Sequence, residues 1–110
     1  MAYLARCQRR ALEKWMECKD IVFSGHAVRR MFEPGINEIE LTEVIAEGEL
    51  IDEYPDDMPF PSVLLLGRVS NQAVHVVLGV DAETGICYVI TVYLPDPELW
   101  LAGFRKRRSP

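Results

Sequence analysis

A chain of 110 residues with net charge −5 (12 Lys and Arg against 17 Asp and Glu) is long enough for one domain around one core, and it holds no apolar run long enough to span a bilayer. Three cysteines is an odd number. With Cys7 and Cys18 read on one helix, too far apart to bridge, and a charged N-terminus lacking the apolar segment of a signal peptide, the expectation is a reduced, cytoplasmic protein.

The acidic sum argues mildly against nucleic acid, but the charge is polarised. Acids crowd residues 33–57, while cations gather at Arg6, Arg9, Arg10, Lys14 and Lys19, at Arg29 and Arg30, at Arg68, and over residues 105–108. Such a positive side can meet a phosphate backbone; the plainer reading is a set of solvated faces.

Residues 3–20 place Leu4, Cys7, Ala11, Trp15 and Cys18 at helical spacing. The expected organisation is a helical extension over residues 1–20 and a single α+β domain over residues 21–110. Ile21-Val22-Phe23 is short, apolar and extended. Ser24 has the character of an N-cap, and a helix from Gly25 to about Glu33 is expected to bury Ala27, Val28, Met31 and Phe32. His26 and Arg30, four apart, share another face, with Arg29 beside them. His26 falls in the first turn, where free backbone N–H groups favour anions. Pro34-Gly35 ends this helix. A second, over residues 37–47, is expected to turn Ile39, Val44 and Ile45 inward and Glu38, Glu40, Glu43 and Glu47 outward, with Gly48 closing it.

Residues 49–54 read as a strand, followed by a loop stiffened by Pro55, Pro59 and Pro61. Three more strands follow as a meander over residues 62–69 and 73–94. A three-residue loop at Glu83-Thr84-Gly85 pairs Ala82 with Ile86, and hence His75 with Tyr93 and Val77 with Thr91. A reversal centred on Asn71-Gln72 pairs Arg68 with His75. In this register Val74, Val76, Leu78 and Val80 join Ile86, Tyr88, Ile90, Val92 and Leu94 on a core face. His75, Val77, Gly79, Cys87, Val89, Thr91 and Tyr93 occupy the other. Arg68, His75 and Tyr93 then form one row. Residues 95–100 form a turn, Phe104 is expected to anchor the end, and residues 105–108 are a basic tail. The architecture expected is α+β, with N-terminal helices packed on one face of a four-stranded antiparallel meander and the other face left as a cleft.

Two His and three Cys are scattered without CxxC or HxxxH spacing, so no metal site is expected. No glycine-rich phosphate loop or cofactor motif is present, and Cys87 lacks a nearby base. The remaining set is His26, Arg29, Arg30, Arg68, His75, Thr91 and Tyr93. It suits metal-free RNA cleavage, in which a 2′-hydroxyl needs a base, the leaving oxygen an acid and the phosphorane a cation. Singly, each residue has a plainer explanation: a strand His bonded to Tyr93, ordinary strand propensity for Thr91 and Tyr93, a His that orients the helix entry. The row of three is what points to chemistry.

The run Phe23-Ser24-Gly25-His26-Ala27-Val28-Arg29-Arg30-Met31-Phe32 resembles the opening "SGHA…RM" signature of a bacterial and cyanobacterial family catalogued as domain of unknown function 4258. Gly35-Ile36, Ile51-Asp52-Glu53-Tyr54-Pro55-Asp56-Asp57, Leu66-Gly67-Arg68, His75-Val76-Val77, Ile90-Thr91-Val92-Tyr93, Pro95-Asp96-Pro97 and Trp100 agree in order, over about residues 21–108. Pro34 departs from the basic residue that relatives often carry before Gly-Ile. The family has been grouped with RelE-like and BrnT-like toxins, small ribonucleases with helices followed by an antiparallel sheet, some encoded beside an antitoxin with a small zinc-binding domain.

The resemblance therefore implies a RelE-like fold and a toxin-like, metal-independent endoribonuclease acting on single-stranded or messenger RNA. In that reading His26 and His75 are acid and base in unassigned order, Arg29, Arg30 and Arg68 hold phosphate, and Tyr93 and Thr91 orient or donate. Substituting His75 by Ala is expected to abolish cleavage and spare the fold. The competing readings are a non-catalytic protein-interaction domain and RNA binding without cleavage.

Overall fold

A computed structural model describes residues 18–108. Its elements are β1 (Asp20–Phe23), α1 (Gly25–Phe32), α2 (Glu38–Glu47), β2 (Glu49–Tyr54), β3 (Ser62–Val69), β4 (Gln72–Asp81) and β5 (Ile86–Tyr93). The protein is α+β, but the sheet has five strands in the order β1-β5-β4-β3-β2. The expected four antiparallel strands are β2 to β5. The fifth is the run Ile21-Val22-Phe23, which pairs parallel with β5 from Asp20↔Ile86 to Phe23↔Val89. A four-residue run shows too little alternation to distinguish a strand from a linker, and its partner lies at the far end of the chain. The predicted helix over residues 3–20 lies outside the described residues up to residue 17; Asp20 already begins β1.

Both helices pack on one face of the sheet, α1 over β5 and α2 over β3. Ser24 caps α1, its Oγ accepting from Ala27 N–H. Asn37 and Glu40 form a reciprocal capping box at the start of α2. Only one stripe of α1 is buried, that of Ala27 and Met31, while Val28 and Phe32, expected inside, are exposed, Phe32 by 81%. On α2 the buried set is Leu41, Val44 and Ile45. Ile39, also expected inside, is 73% exposed, because a residue two places before Leu41 points to the far side of the helix.

The strand register differs from expectation at both turns. The β3–β4 reversal is a two-residue turn at Ser70-Asn71, both left-handed (φ 51 and 68), which suits the twist of a tight hairpin. It pairs Arg68 with Ala73 and Leu66 with His75, so Arg68 is not in the row of His75. The β4–β5 turn is one residue longer than expected, pairing Asp81 with Ile86. A bulge at Ile90 then absorbs the extra residue, since Leu78 faces Val89 while Val77 faces Thr91. His75 still pairs with Tyr93. Before the bulge, however, the faces of β5 are the reverse of those expected. Cys87 and Val89 join Val92 in the core beneath the helices, and Tyr88 turns to the other side, where it stacks on Phe60 at 5.3 Å.

The face opposite the helices is not an open cleft. Residues 99–108 fold back as a small hairpin, with Trp100 bridging to Arg107. Leu101 N–H donates to Lys106 O and Arg108 N–H to Leu99 O. Leu64, Leu66 and His75 are buried on this side.

Cys18, immediately before β1, forms a disulfide with Cys87 of β5 (Cα–Cα 5.5 Å). This corrects the expectation of reduced cysteines: the parallel pairing of β1 with β5 places Cys18 beside a cysteine that the linear spacing gave no reason to consider. No helix among the described residues is long and apolar enough to cross a membrane.

Candidate nucleic-acid interface

His75 has 0% of its surface exposed. Its Nε2 lies 2.9 Å from the carbonyl oxygen of Phe104, and its Nδ1 lies 3.2 Å from the Tyr93 hydroxyl. The Trp100 ring meets the imidazole edge-on at 4.4 Å. A carbonyl only accepts, so Nε2 carries the ring proton and donates to Phe104. Burial pulls the His75 pKa below its ordinary value, against the opposing pull of the Phe104 carbonyl. The ring is therefore neutral near pH 7, and Nδ1 is an acceptor. The Tyr93 O–H donates to it, and the Tyr93 oxygen keeps its lone pairs for another donor. Burial raises the Tyr93 pKa and the Arg107 charge lowers it, with burial the larger, so the phenol stays protonated.

The other candidates fall into two places. His26, exposed on the first turn of α1, reaches β5 with its Nε2 3.1 Å from Thr91 Oγ1. One turn on, Arg30 Nε donates to the Val92 carbonyl at a long 3.5 Å, and its guanidinium lies 3.7 Å from Glu33. Ser24 Oγ donates to the Ile90 carbonyl at 3.3 Å. The bulge at Ile90 thus brings successive β5 groups against the side of α1. Arg29 is exposed and folds back toward Gly25. Thr91 and Tyr93, two apart on β5, join the His26–Arg30 face to the His75 pair. Arg30 and Tyr93 line the same notch of about 250 Å³, together with Glu33, Pro34, Val92 and Leu94.

Arg68 stands apart from this group. It is exposed at the end of β3, donates to the Asn71 carbonyl at 3.4 Å, and borders a separate notch with Arg105, Glu43 and Glu47. The expected row of Arg68, His75 and Tyr93 is thus reduced to His75 and Tyr93, and the His is sealed beneath the C-terminal hairpin. Cys87 is held in the disulfide and the core. Among the described residues no group of three or more His, Cys, Asp and Glu is placed to hold a metal ion.

The residues that sequence reasoning undervalued are Trp100, Phe104 and Arg107. Trp100 is buried against His75, Phe104 supplies the carbonyl, and the Arg107 guanidinium lies 5.5 Å from the Trp100 ring centre. A tryptophan and a phenylalanine just before a short basic run were the available signal.

Among comparisons with known proteins, a family model described as "Domain of unknown function (DUF4258)" matches residues 23–94. No curated protein and no solved structure matches the chain. The matched span runs from Phe23 through α1, α2 and all four antiparallel strands to Leu94, well over half of the sequence, and it includes His26, Arg30, Arg68, His75, Thr91 and Tyr93. The chain belongs to the DUF4258 family.

Proposed function

We propose that this protein is a toxin-like, metal-independent endoribonuclease, RelE-like in its helices-on-sheet plan, acting on single-stranded or messenger RNA. The observation that carries this reading is the exposed His26 imidazole against Thr91, one helical turn from Arg30. In the reaction the 2′-oxygen attacks the adjacent phosphorus and the bond to the 5′-oxygen breaks. One proton leaves the 2′-hydroxyl and one is delivered to the 5′-oxygen. His26 supplies the exposed proton-transfer group, and Arg29 and Arg30 supply charge for the phosphorane. His75 acts through Tyr93 as a positioning residue, because its own nitrogens are engaged below the surface.

The test is cleavage of a fluorescent single-stranded RNA in the presence of a chelator. The His26→Ala protein should retain its fold by circular dichroism and lose about 10²- to 10⁴-fold in rate, the usual contribution of a general acid or base. Cleavage at the parental rate by the folded variant sinks the reading.

The burial of His75 favours a second reading, a protein-interaction domain that does no chemistry. Its natural partner would be an antitoxin encoded next to it, of the kind that carries a small zinc-binding domain. Absence of RNA cleavage together with a stable complex with that neighbour would favour it.

A further inference from the structure

We propose that the Tyr93 oxygen is a ribose 2′-hydroxyl acceptor set between two phosphate-gripping guanidiniums, Arg30 and Arg107, so that the protein selects RNA over DNA at this point. The proposal rests on the RNA reading above and supplies its substrate-recognition element.

The chain of contacts runs upward from the core. Phe104 O holds the proton of His75 Nε2 at 2.9 Å. That leaves His75 Nδ1 as an acceptor 3.2 Å from the Tyr93 hydroxyl. Tyr93 can satisfy it only by donating its single proton inward. A phenol oxygen so committed offers lone pairs and no hydrogen to an incoming ligand. The groups beside it select what that ligand is. Arg30 lines the same notch as Tyr93, from the α1 side. Arg107 comes from the other side: its guanidinium lies over Trp100, and Trp100 meets the His75 ring that holds Tyr93. The positive charge of Arg107 acts at Tyr93 against the larger effect of burial.

Two cations flanking an acceptor-only oxygen call for a ligand with anionic groups on either side of a neutral donor. A ribonucleotide strand offers that pattern, with phosphates on either side of a 2′-hydroxyl; deoxyribose has no hydroxyl there. Among the described residues the anion of the notch itself is Glu33, exposed and 3.7 Å from the Arg30 guanidinium. A phosphate would take its place.

The experiment is a fluorescence-anisotropy titration of an oligoribonucleotide and the oligodeoxyribonucleotide of matching sequence, over a series of salt concentrations. It uses the full chain carrying His26→Ala, so that cleavage does not intervene. RNA should bind more tightly than DNA. Tyr93→Phe should reduce the RNA-to-DNA affinity ratio roughly three- to ten-fold, the worth of one hydrogen bond, with the salt slope unchanged. Arg30→Ala and Arg107→Ala should weaken both nucleic acids alike and lower the salt slope by about 0.7 each. Arg107→Lys should restore most of the slope, separating charge from the packing of Arg107 on Trp100.

A ratio unmoved by Tyr93→Phe, or a slope unmoved by both arginine substitutions, overturns the proposal, as does failure of the protein to bind RNA. RNA selectivity that depends on Tyr93 in a protein that otherwise leaves RNA intact sustains this proposal and removes the ribonuclease reading.

Discussion

His75 shows how a single side chain changes meaning once its surroundings are known. Its pairing with Tyr93 was readable from strand register, and the pair exists. What register could not show is that Phe104 and Trp100 close over it. Phe104 holds a left-handed backbone (φ 61), unusual for a bulky residue, and presents its carbonyl to His75 Nε2. Removing the imidazole leaves that carbonyl and the Tyr93 hydroxyl without their partner and opens a void beneath Trp100. His75→Ala is therefore expected to lower the unfolding free energy by about 2–4 kcal/mol, measured by urea denaturation. That is a fold-level effect where the sequence reading foresaw a purely catalytic one.

The depressed His75 pKa also links stability to pH. The unfolded chain takes up the proton at the ordinary histidine value near 6.5, the folded one only at lower pH. The stabilising contribution is complete above pH 6.5 and declines as pH falls from there toward the folded pKa. His75→Gln should flatten this part of the stability-versus-pH curve relative to the parent, while the exposed His26 is common to both proteins.

Among the elements, β5 organises the rest. It pairs with β1 on one side and β4 on the other, carries Cys87 and Val89 into the core, and presents Thr91 and Tyr93 to the candidate site. Its limits, like those of β2 and β3, were legible in the alternation of apolar residues. The bulge at Ile90 was not, because nothing local distinguishes a bulged Val-Ile-Thr from a regular one; the four-residue turn before it and the pairing after it require it. One extra residue in the turn and one in the strand cancel, which is why His75↔Tyr93 was read correctly from a turn that was not.

The contact of α2 with β3 depends on Gly67. A Cβ there would lie 2.6 Å from Val44 Cγ1, so the helix sits against bare backbone. Gly67→Ala is expected to destabilise by about 1–3 kcal/mol through forced displacement of α2, seen as a lower midpoint in thermal unfolding, with the strand content unchanged by circular dichroism.

For the molecule as a whole, closure comes from the two ends of the described residues. Lys19 N–H donates to Gly85 O, and Cys18 is bonded to Cys87 across a sequence separation of 69, so the segment entering β1 is tied to the β5 hairpin. At the other end, Arg105 holds Glu49 with Nε 2.9 Å from each carboxylate oxygen, pinning the C-terminal hairpin to the start of β2. A crosslink over so long a loop restricts the unfolded chain. Cys18→Ser is expected to cost about 2–4 kcal/mol, checked by comparing urea midpoints of parent and variant with and without reductant. The reductant should bring the parent down to the variant and leave the variant in place.

The amino-acid order alone determined the α+β class, the cap at Ser24, the limits of three of the four meander strands, and the family, because caps, turns and periodicity are written in residues that are neighbours along the chain. Tertiary structure alone decided the parallel β1–β5 pairing, the Cys18–Cys87 bond, the displacement of Arg68 from the His75 row, and the sealing of His75 beneath Trp100 and Phe104. Each of these joins groups remote in sequence, and which remote groups meet depends on how the packed layers close over one another.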